Sequence, residues 1–200
     1  AVYDEYQTMA NNVLDTTVWG DSGCTSWYKT PSGKIELWSE TLDDLDIDPL
    51  PAYTPPRIDT TDTATRKAYP LVLITGAREK TYHHSRYRDQ AWARKVSPFP
   101  LLQVHPDTAA DMELSDGDWV SVRTPGIEGQ CKLKVTVTTE TGVGTVRTGM
   151  GWWLPEAVGP ERGALDVNVN VALSYDGPWD PVTGSADTRG IPCRIMRIPE

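Results

Sequence analysis

The 200-residue sequence contains a single Phe and three cysteines, Cys24, Cys131 and Cys193. The cysteines lie far apart and form no Cys-x-x-Cys pair, which excludes a structural zinc or iron–sulfur site built from this chain alone. Reduced, independent thiols are the expectation. Long apolar runs are equally scarce. The longest, Leu71 to Ile74, covers a few residues, far short of the roughly 20 that a bilayer-crossing helix needs. Basic charge is in deficit too: 19 Lys+Arg against 28 Asp+Glu leave a net charge of -9. That excludes bulk attraction to nucleic acid or an anionic membrane, so any anionic ligand must be held by a local site. The opening residues, AVYDEYQTMA, have neither a basic stretch nor an apolar stretch, so no secretory leader is expected in them. A start at Ala1 and not at Met leads us to expect a piece of something longer.

What is present is telling. Eight Trp and eight Tyr carry nearly all of the aromatic content, and both types combine an apolar body with a polar handle suited to half-buried or ligand-lining positions. Sixteen Gly and 16 Pro predict many turns. A chain of this length can bury roughly 70% of its unfolded surface, enough for a real core.

Composition divides the chain into an N-terminal arm and linker, residues 1–68, and a barrel domain, residues 69–200. In the arm, YDEYQTMANNVL could make about two turns of amphipathic helix. PSGKIELW reads as turn then strand, before an acidic run and then Pro49, Pro51, Pro55 and Pro56. Beyond Tyr69 the pattern changes to short strands: 71–75, 100–104, 119–124, 131–139, 144–149 and 191–198. WVSVRT and CKLKVTVTT alternate as half-buried strands. Asp107 is expected to cap a short helix TAADMEL, which the turn Ser115-Asp116-Gly117-Asp118 ends. Six short strands with one small helix predict a mainly β fold, a closed barrel and not a doubly wound sheet.

The segment TGAREKTYHHSRYR, residues 75–88, concentrates the candidate chemistry. A strand ending in Thr-Gly turns sharply and exposes amide N–H groups, and Arg78 adds a guanidinium beside them. Such a combination suits a phosphate or a polar heterocycle. From Arg78 to Lys95 there are six basic residues against Glu79 and Asp89, a local inversion of sign. The competing reading is a solvated basic loop. His83, His84 and His105 could be read as metal ligands, but adjacent His side chains diverge in a strand and no Cys or carboxylate sits at ligand spacing, so hydrogen bonding is the better reading. Ser85 beside His84 lacks a Gly-x-Ser-x-Gly elbow, which argues against a hydrolytic triad. In GMGWWLPE, Trp152 and Trp153 are balanced between packing at the barrel end and ligand contact. Asn168 and Asn170 offer paired amides that can read a purine- or pterin-like edge. Asp176, Asp180 and Arg189 add loop polarity.

Taken in order, TPSGKIELWSETL, YPLVLITGAREKTYHHSRYR, PLLQVHPDTAADMELSDGDWVSVRTPGIEG, VTVTTETGVGTVRTGMGWW and NVNVALSYDGPWDPVTGS resemble the C-terminal molybdopterin-dinucleotide-binding domain of the dimethyl-sulfoxide-reductase superfamily of molybdenum and tungsten oxidoreductases. The resemblance implies a six-stranded double-psi β-barrel with one or two short helices. It also implies a bis(molybdopterin guanine dinucleotide) cofactor with Mo or W, held mostly by other domains. The cofactor-binding positions it implies are Thr75, Gly76, Arg78, His84, Ser85, Trp153 and Asn170, with no catalytic residue and no protein ligand to the metal. Thr-Gly-Ala-Arg stands where the family has Thr-Gly-Arg, and Ala172-Leu173 where it has Leu-Thr. Nothing in the chain resembles the family's cysteine-rich iron–sulfur segment or its metal-ligand segment, so turnover is not expected from this chain alone, and any iron–sulfur cluster would belong to upstream domains. The implied partners are the rest of a catalytic subunit and an iron–sulfur electron-transfer subunit, with no nucleic acid and no membrane insertion, in a bacterial or archaeal cytoplasm or periplasm. Residues 18–34, VWGDSGCTSWYKTPSGK, more weakly resemble the C-terminal part of Baeyer–Villiger-type flavin monooxygenases. The alternatives are thus a cofactor-free β-barrel interaction module or a flavin monooxygenase fragment fused to such a domain.

Overall fold

Apolar side chains at every second position of six short segments find one another inside a closed barrel. The computed structural model describes residues 35–50, 52, 62–76, 79–176 and 179–199. The chain divides into two units, Ala1–Tyr53 and Thr54–Glu200. The helix expected in YDEYQTMANNVL lies outside the described residues.

In the first unit, residues 35–38 are irregular and make no strand. Leu37 there is 80% exposed, so the stretch lacks the buried face that a half-buried strand requires. The first regular element is helix α1, Glu40–Asp43, started by Ser39, whose side chain accepts from Leu42 N–H. Ser39 N–H donates to the Pro49 carbonyl at 3.1 Å, closing the acidic segment into a loop.

The second unit is the barrel. Helix α2, Thr63–Ala68, capped by Asp62, leads into β1, Leu71–Ile74. Then come α3, Ala91–Val96; β2, Leu101–Val104; α4, Pro106–Asp111; β3, Trp119–Arg123; β4, Cys131–Val137; β5, Thr145–Thr148; α5, Ala164–Val167; a 3-10 turn, Val169–Ala172; and β6, Arg189–Arg197. The strands close in the order β1-β5-β2-β4-β3-β6. β1 runs parallel to β5 and β2 parallel to β4, while the other four pairings are antiparallel. This is a mainly β, double-psi arrangement with all six strands where the alternation places them. Helices are more frequent than the pattern suggested, because pieces of four to six residues are too short to display a 3.6-residue period.

Leu73, Leu102, Val104, Val120, Val122 and Leu133 are fully buried in the barrel interior. On β3 Ser121 is buried as well, so that strand is covered on both faces and does not simply alternate. Helix α4 begins two residues earlier than expected and is capped by His105, whose Nδ1 accepts from Asp107 N–H at 3.2 Å. Pro106 at its first position favours that start, since proline has no N–H to leave unpaired. The loop after β5 and α5 also reaches the core: Val169, Ala172 and Leu173 join the barrel cluster, and Thr124 Oγ1 donates to the Ala172 carbonyl.

Candidate functional site

Because β1 and β5 are parallel neighbours, their C-terminal ends open at the same end of the barrel. The antiparallel start of β6 lies there too, with Arg189 opposite Ile74. Three segments distant in sequence therefore converge: the loop after β1, the loop after β5 and the residues entering β6.

Thr75 closes the first of these. It is 2% exposed, and its hydroxyl donates to the Thr188 carbonyl at 2.6 Å, so its side chain ties β1 to β6. Gly76 follows with φ +78, where a Cβ would come within 2.8 Å of Met150 Cε. A glycine is favoured there by the left-handed backbone, while the contact with Met150 is with the movable end of its side chain. Arg78 lies outside the described residues. His84, exposed and at φ 55, turns its Nδ1 to within 3.1 Å of Met150 Sδ. Ser85 is exposed, and its carbonyl accepts from Trp153 Nε1 at 2.7 Å. Gly151, at φ +74, brings the second loop so close that a Cβ would stand 2.9 Å from both His84 C and Ser85 N. The two loops thus form one seam.

Beneath the seam is an apolar cluster separate from the barrel core, with Tyr82, Ala93, Trp152 and Val167 buried in it. It settles the role of the tryptophan pair: Trp152 is 1% exposed and belongs to packing, while Trp153 remains partly open. Arg88 is inserted into this cluster at 1% exposure. Its guanidinium carbon lies 3.9 Å from the centre of the Tyr82 ring and 3.7 Å from that of Trp152. Arg88 Nη2 donates to the carbonyls of His84 at 3.0 Å and Met150 at 3.3 Å. Glu79 stands 3.6 Å from Arg88 Nη1 and accepts from Trp152 Nε1 at 2.7 Å. Burial pushes the Glu79 carboxyl above the usual carboxylate range and lowers the Arg88 guanidinium, and their mutual attraction opposes both shifts.

On one side of the seam is a cavity of about 280 Å³ lined by Gly76, Glu79, Tyr82, His83, His84, Arg88, Met150 and Arg189. On the other is a shallow groove containing Ser85, Gly151, Trp153, Arg162 and Asn168. Asn168, two residues before the expected Asn170, lines this groove. Asn170 is exposed on the 3-10 turn, where its carbonyl accepts from the Tyr175 hydroxyl at 3.2 Å. The structure thus brings Gly76 and His84 to the cavity and Ser85 and Trp153 to the groove. His105 follows β2, which runs antiparallel to β5, and so lies at the opposite end of the barrel from the His83–His84 pair. Among the described residues no group of three His, Cys, Asp or Glu could hold a metal, and no helix is long and apolar enough to cross a membrane.

Sequence reasoning passed over Glu79, Tyr82, Arg88 and Met150. The interleaving of aromatic and basic residues in 78–95 was the available signal. It did not reveal which cation is buried: Arg88 is inside, and Arg94 is bonded to Glu156 at 2.6 Å, while Lys80, Arg86 and Lys95 are exposed.

The comparisons agree with this architecture. The model of the Molydopterin dinucleotide binding domain family matches residues 71–192. The chain is 38% identical over 168 residues to acetylene hydratase of Syntrophotalea acetylenica, an alignment covering 80% of this chain and 23% of that protein. It is 30% identical over 210 residues to dopamine dehydroxylase of Eggerthella lenta, covering 98% of this chain and 20% of the relative. That alignment takes in nearly all of residues 1–34, and the resemblance of this stretch to flavin monooxygenases finds no support. The solved structure of acetylene hydratase from Pelobacter acetylenicus superposes with a TM-score of 0.76 at 35% identity, covering 84% of this chain and 24% of that one. The chain spans about a quarter or less of the length of these relatives. A double-psi barrel whose β1 and β5 loops wall a polar cavity, matched by the family model over most of that barrel, belongs to the molybdopterin-dinucleotide-binding domain family of the dimethyl-sulfoxide-reductase superfamily.

Proposed function

We propose that the seam end of the barrel binds and orients a molybdopterin guanine dinucleotide, carrying Mo or W, as the C-terminal domain of a larger oxidoreductase. The observation that carries this reading is the cavity: Arg189, His83 and His84 gather around the Arg88–Glu79 pair at one barrel end in a chain of net charge -9. Its donor set fits the group. Diphosphates are matched by guanidinium and amide N–H donors, and the polar edges of pterin and guanine by amides and carbonyls. Gly76, in the left-handed region at φ +78, keeps the cavity wall free of a side chain.

In this reading Gly76 and His84 line the cavity, and Ser85 and Trp153 with Asn168 offer polar contacts on the other side of the seam; Arg78, two residues after Gly76 in sequence, is proposed as a further cation for the cofactor. Thr75 acts through the β1–β6 tie, and Asn170 is exposed on the 3-10 turn two residues after Asn168. When bound, the cofactor supplies the redox-active metal centre, while this domain supplies binding, orientation and exclusion of water. The proposed partners are the remaining domains of the catalytic subunit, which would hold any iron–sulfur cluster, and an iron–sulfur electron-transfer subunit.

Elemental analysis of the purified holoenzyme should find Mo or W. Oxidative release should yield a fluorescent pterin, and acid hydrolysis GMP. Arg78→Ala should lower metal content while the barrel stays folded. Absence of both metal and pterin from wild-type protein would overturn the proposal, and a nucleotide other than GMP would overturn the guanine assignment.

A further inference from the structure

We infer that Arg88 is a positioning residue that holds the His84 and Met150 loops at a fixed separation across the seam, and that cofactor retention depends on this clamp. The inference rests on the proposed function, since it concerns the same cavity.

One nitrogen, Arg88 Nη2, donates to the carbonyls of both His84 and Met150. Those residues belong to different loops, and their side chains meet at the cavity wall, Nδ1 to Sδ at 3.1 Å. The guanidinium is itself immobilised. The Tyr82 and Trp152 rings cover it at 3.9 and 3.7 Å, Glu79 stands 3.6 Å from Nη1, and Glu79 is anchored by Trp152 Nε1. Tyr82 is anchored in turn, its hydroxyl donating to the Ser97 carbonyl at 2.7 Å. The clamp therefore links the loop after β1, helix α3 and the loop after β5.

This arrangement is a poor way to gain stability. Arg88 Nε and Nη1 have no hydrogen-bond acceptor among the described residues, and a buried pair with unmade bonds is often matched or bettered by apolar side chains of similar volume. Desolvation outweighs attraction on both members, raising Glu79 and lowering Arg88. What a guanidinium does here, and a methionine or lysine cannot, is contact two aromatic rings set edge to face while its own edge donates to two carbonyls. Position is the property that arginine supplies.

The test uses the holoenzyme. Arg88→Met combined with Glu79→Gln keeps the space against the two rings filled and removes the charges together. Arg88→Lys keeps the charge without the planar fork, and Val122→Ala serves as a destabilised control remote from the seam. For each, metal per protein, pterin fluorescence, the rate of cofactor loss after dilution and the melting temperature are measured. The double variant should melt within a few degrees of wild type yet lose cofactor about tenfold faster, the scale on which outer partners of a bound group act. Arg88→Lys should lose it faster as well, and Val122→Ala should lose it at the wild-type rate despite its lower melting temperature. Retention at the wild-type rate in the double variant, or loss only in step with melting as in Val122→Ala, would overturn the inference. So would a double variant that does not fold, which would make the clamp structural. Wild-type protein devoid of metal and pterin would instead remove the function on which the inference rests.

Discussion

Gly151→Ala perturbs the seam at a single methyl group. Gly151 has φ +74, and an alanine in the left-handed region costs about 1–2 kcal/mol by its backbone alone. The new Cβ would stand 2.9 Å from His84 C and Ser85 N, whereas ordinary contact begins at 3.4 Å. Both neighbours are backbone, so relief comes only by parting the loops by about half an ångström. That movement stretches the Trp153 Nε1 bond to the Ser85 carbonyl and the Arg88 Nη2 bond to the Met150 carbonyl, each worth about 1 kcal/mol. The total is about 2–4 kcal/mol. In a chain of this size it corresponds to a melting temperature lower by about 4–16 °C.

Two other glycines isolate the contact. Gly144 and Gly126 have φ +73 and +74 and nothing within 4 Å of an added Cβ, so Gly144→Ala and Gly126→Ala should cost the backbone term only, about 1–2 kcal/mol. Differential scanning calorimetry of the three variants against wild type is the assay. If Gly151→Ala melts together with the two controls, the loops are not held at the separation described, and the seam is not a rigid element.

Other perturbations probe the rest of the unit. Val122, fully buried on β3, should not tolerate Asp: an unpaired charge inside the barrel should exceed about 4 kcal/mol, and a soluble, cooperatively unfolding Val122→Asp protein would show that the strand's inward face is wrongly placed. Burial pushes the Cys131 and Cys193 thiols up to about 12, so iodoacetamide at pH 8 should leave both unmodified in native protein and label both after denaturation, as read by peptide mass spectrometry; native labelling at either position would contradict their burial. Glu79 is held above the ordinary carboxyl range chiefly by burial. Folded protein therefore binds this proton more tightly than the unfolded chain. The stability it contributes is full below the ordinary carboxyl value and is lost as pH rises through the folded-state value. Glu79→Gln should flatten that part of the pH–stability curve measured by chemical denaturation, and an unchanged slope would show that Glu79 does not titrate as described.

The strands were legible because their signals are local. Alternation in CKLKVTV and the apolar run LVLI each report a buried face, and Ser-Asp-Gly-Asp and Pro-Gly mark the reversals between strands. The closed barrel followed from six such strands, and the family from motifs whose order runs the length of the chain. Shorter features were not legible. The cap of α4 passed from Asp107 to His105 because Pro106 moved the helix start, and α3 and α5 are too brief to show a period.

Sequence by itself determined that one acidic chain carries a basic loop after its first strand, and that Thr75, Gly76, His84 and Ser85 belong to that loop while Trp153 belongs to the loop after a later strand. Only the tertiary structure decided that these loops meet. The parallel pairing of β1 with β5, Leu73 beside Val146, joins segments about 70 residues apart, and no local periodicity encodes a contact of that range. The same pairing decided which cation is structural. Arg88 reads as one more charge in a solvated run until Trp152, brought across from the other loop, closes over it. Burial depends on neighbours that the chain supplies only by folding.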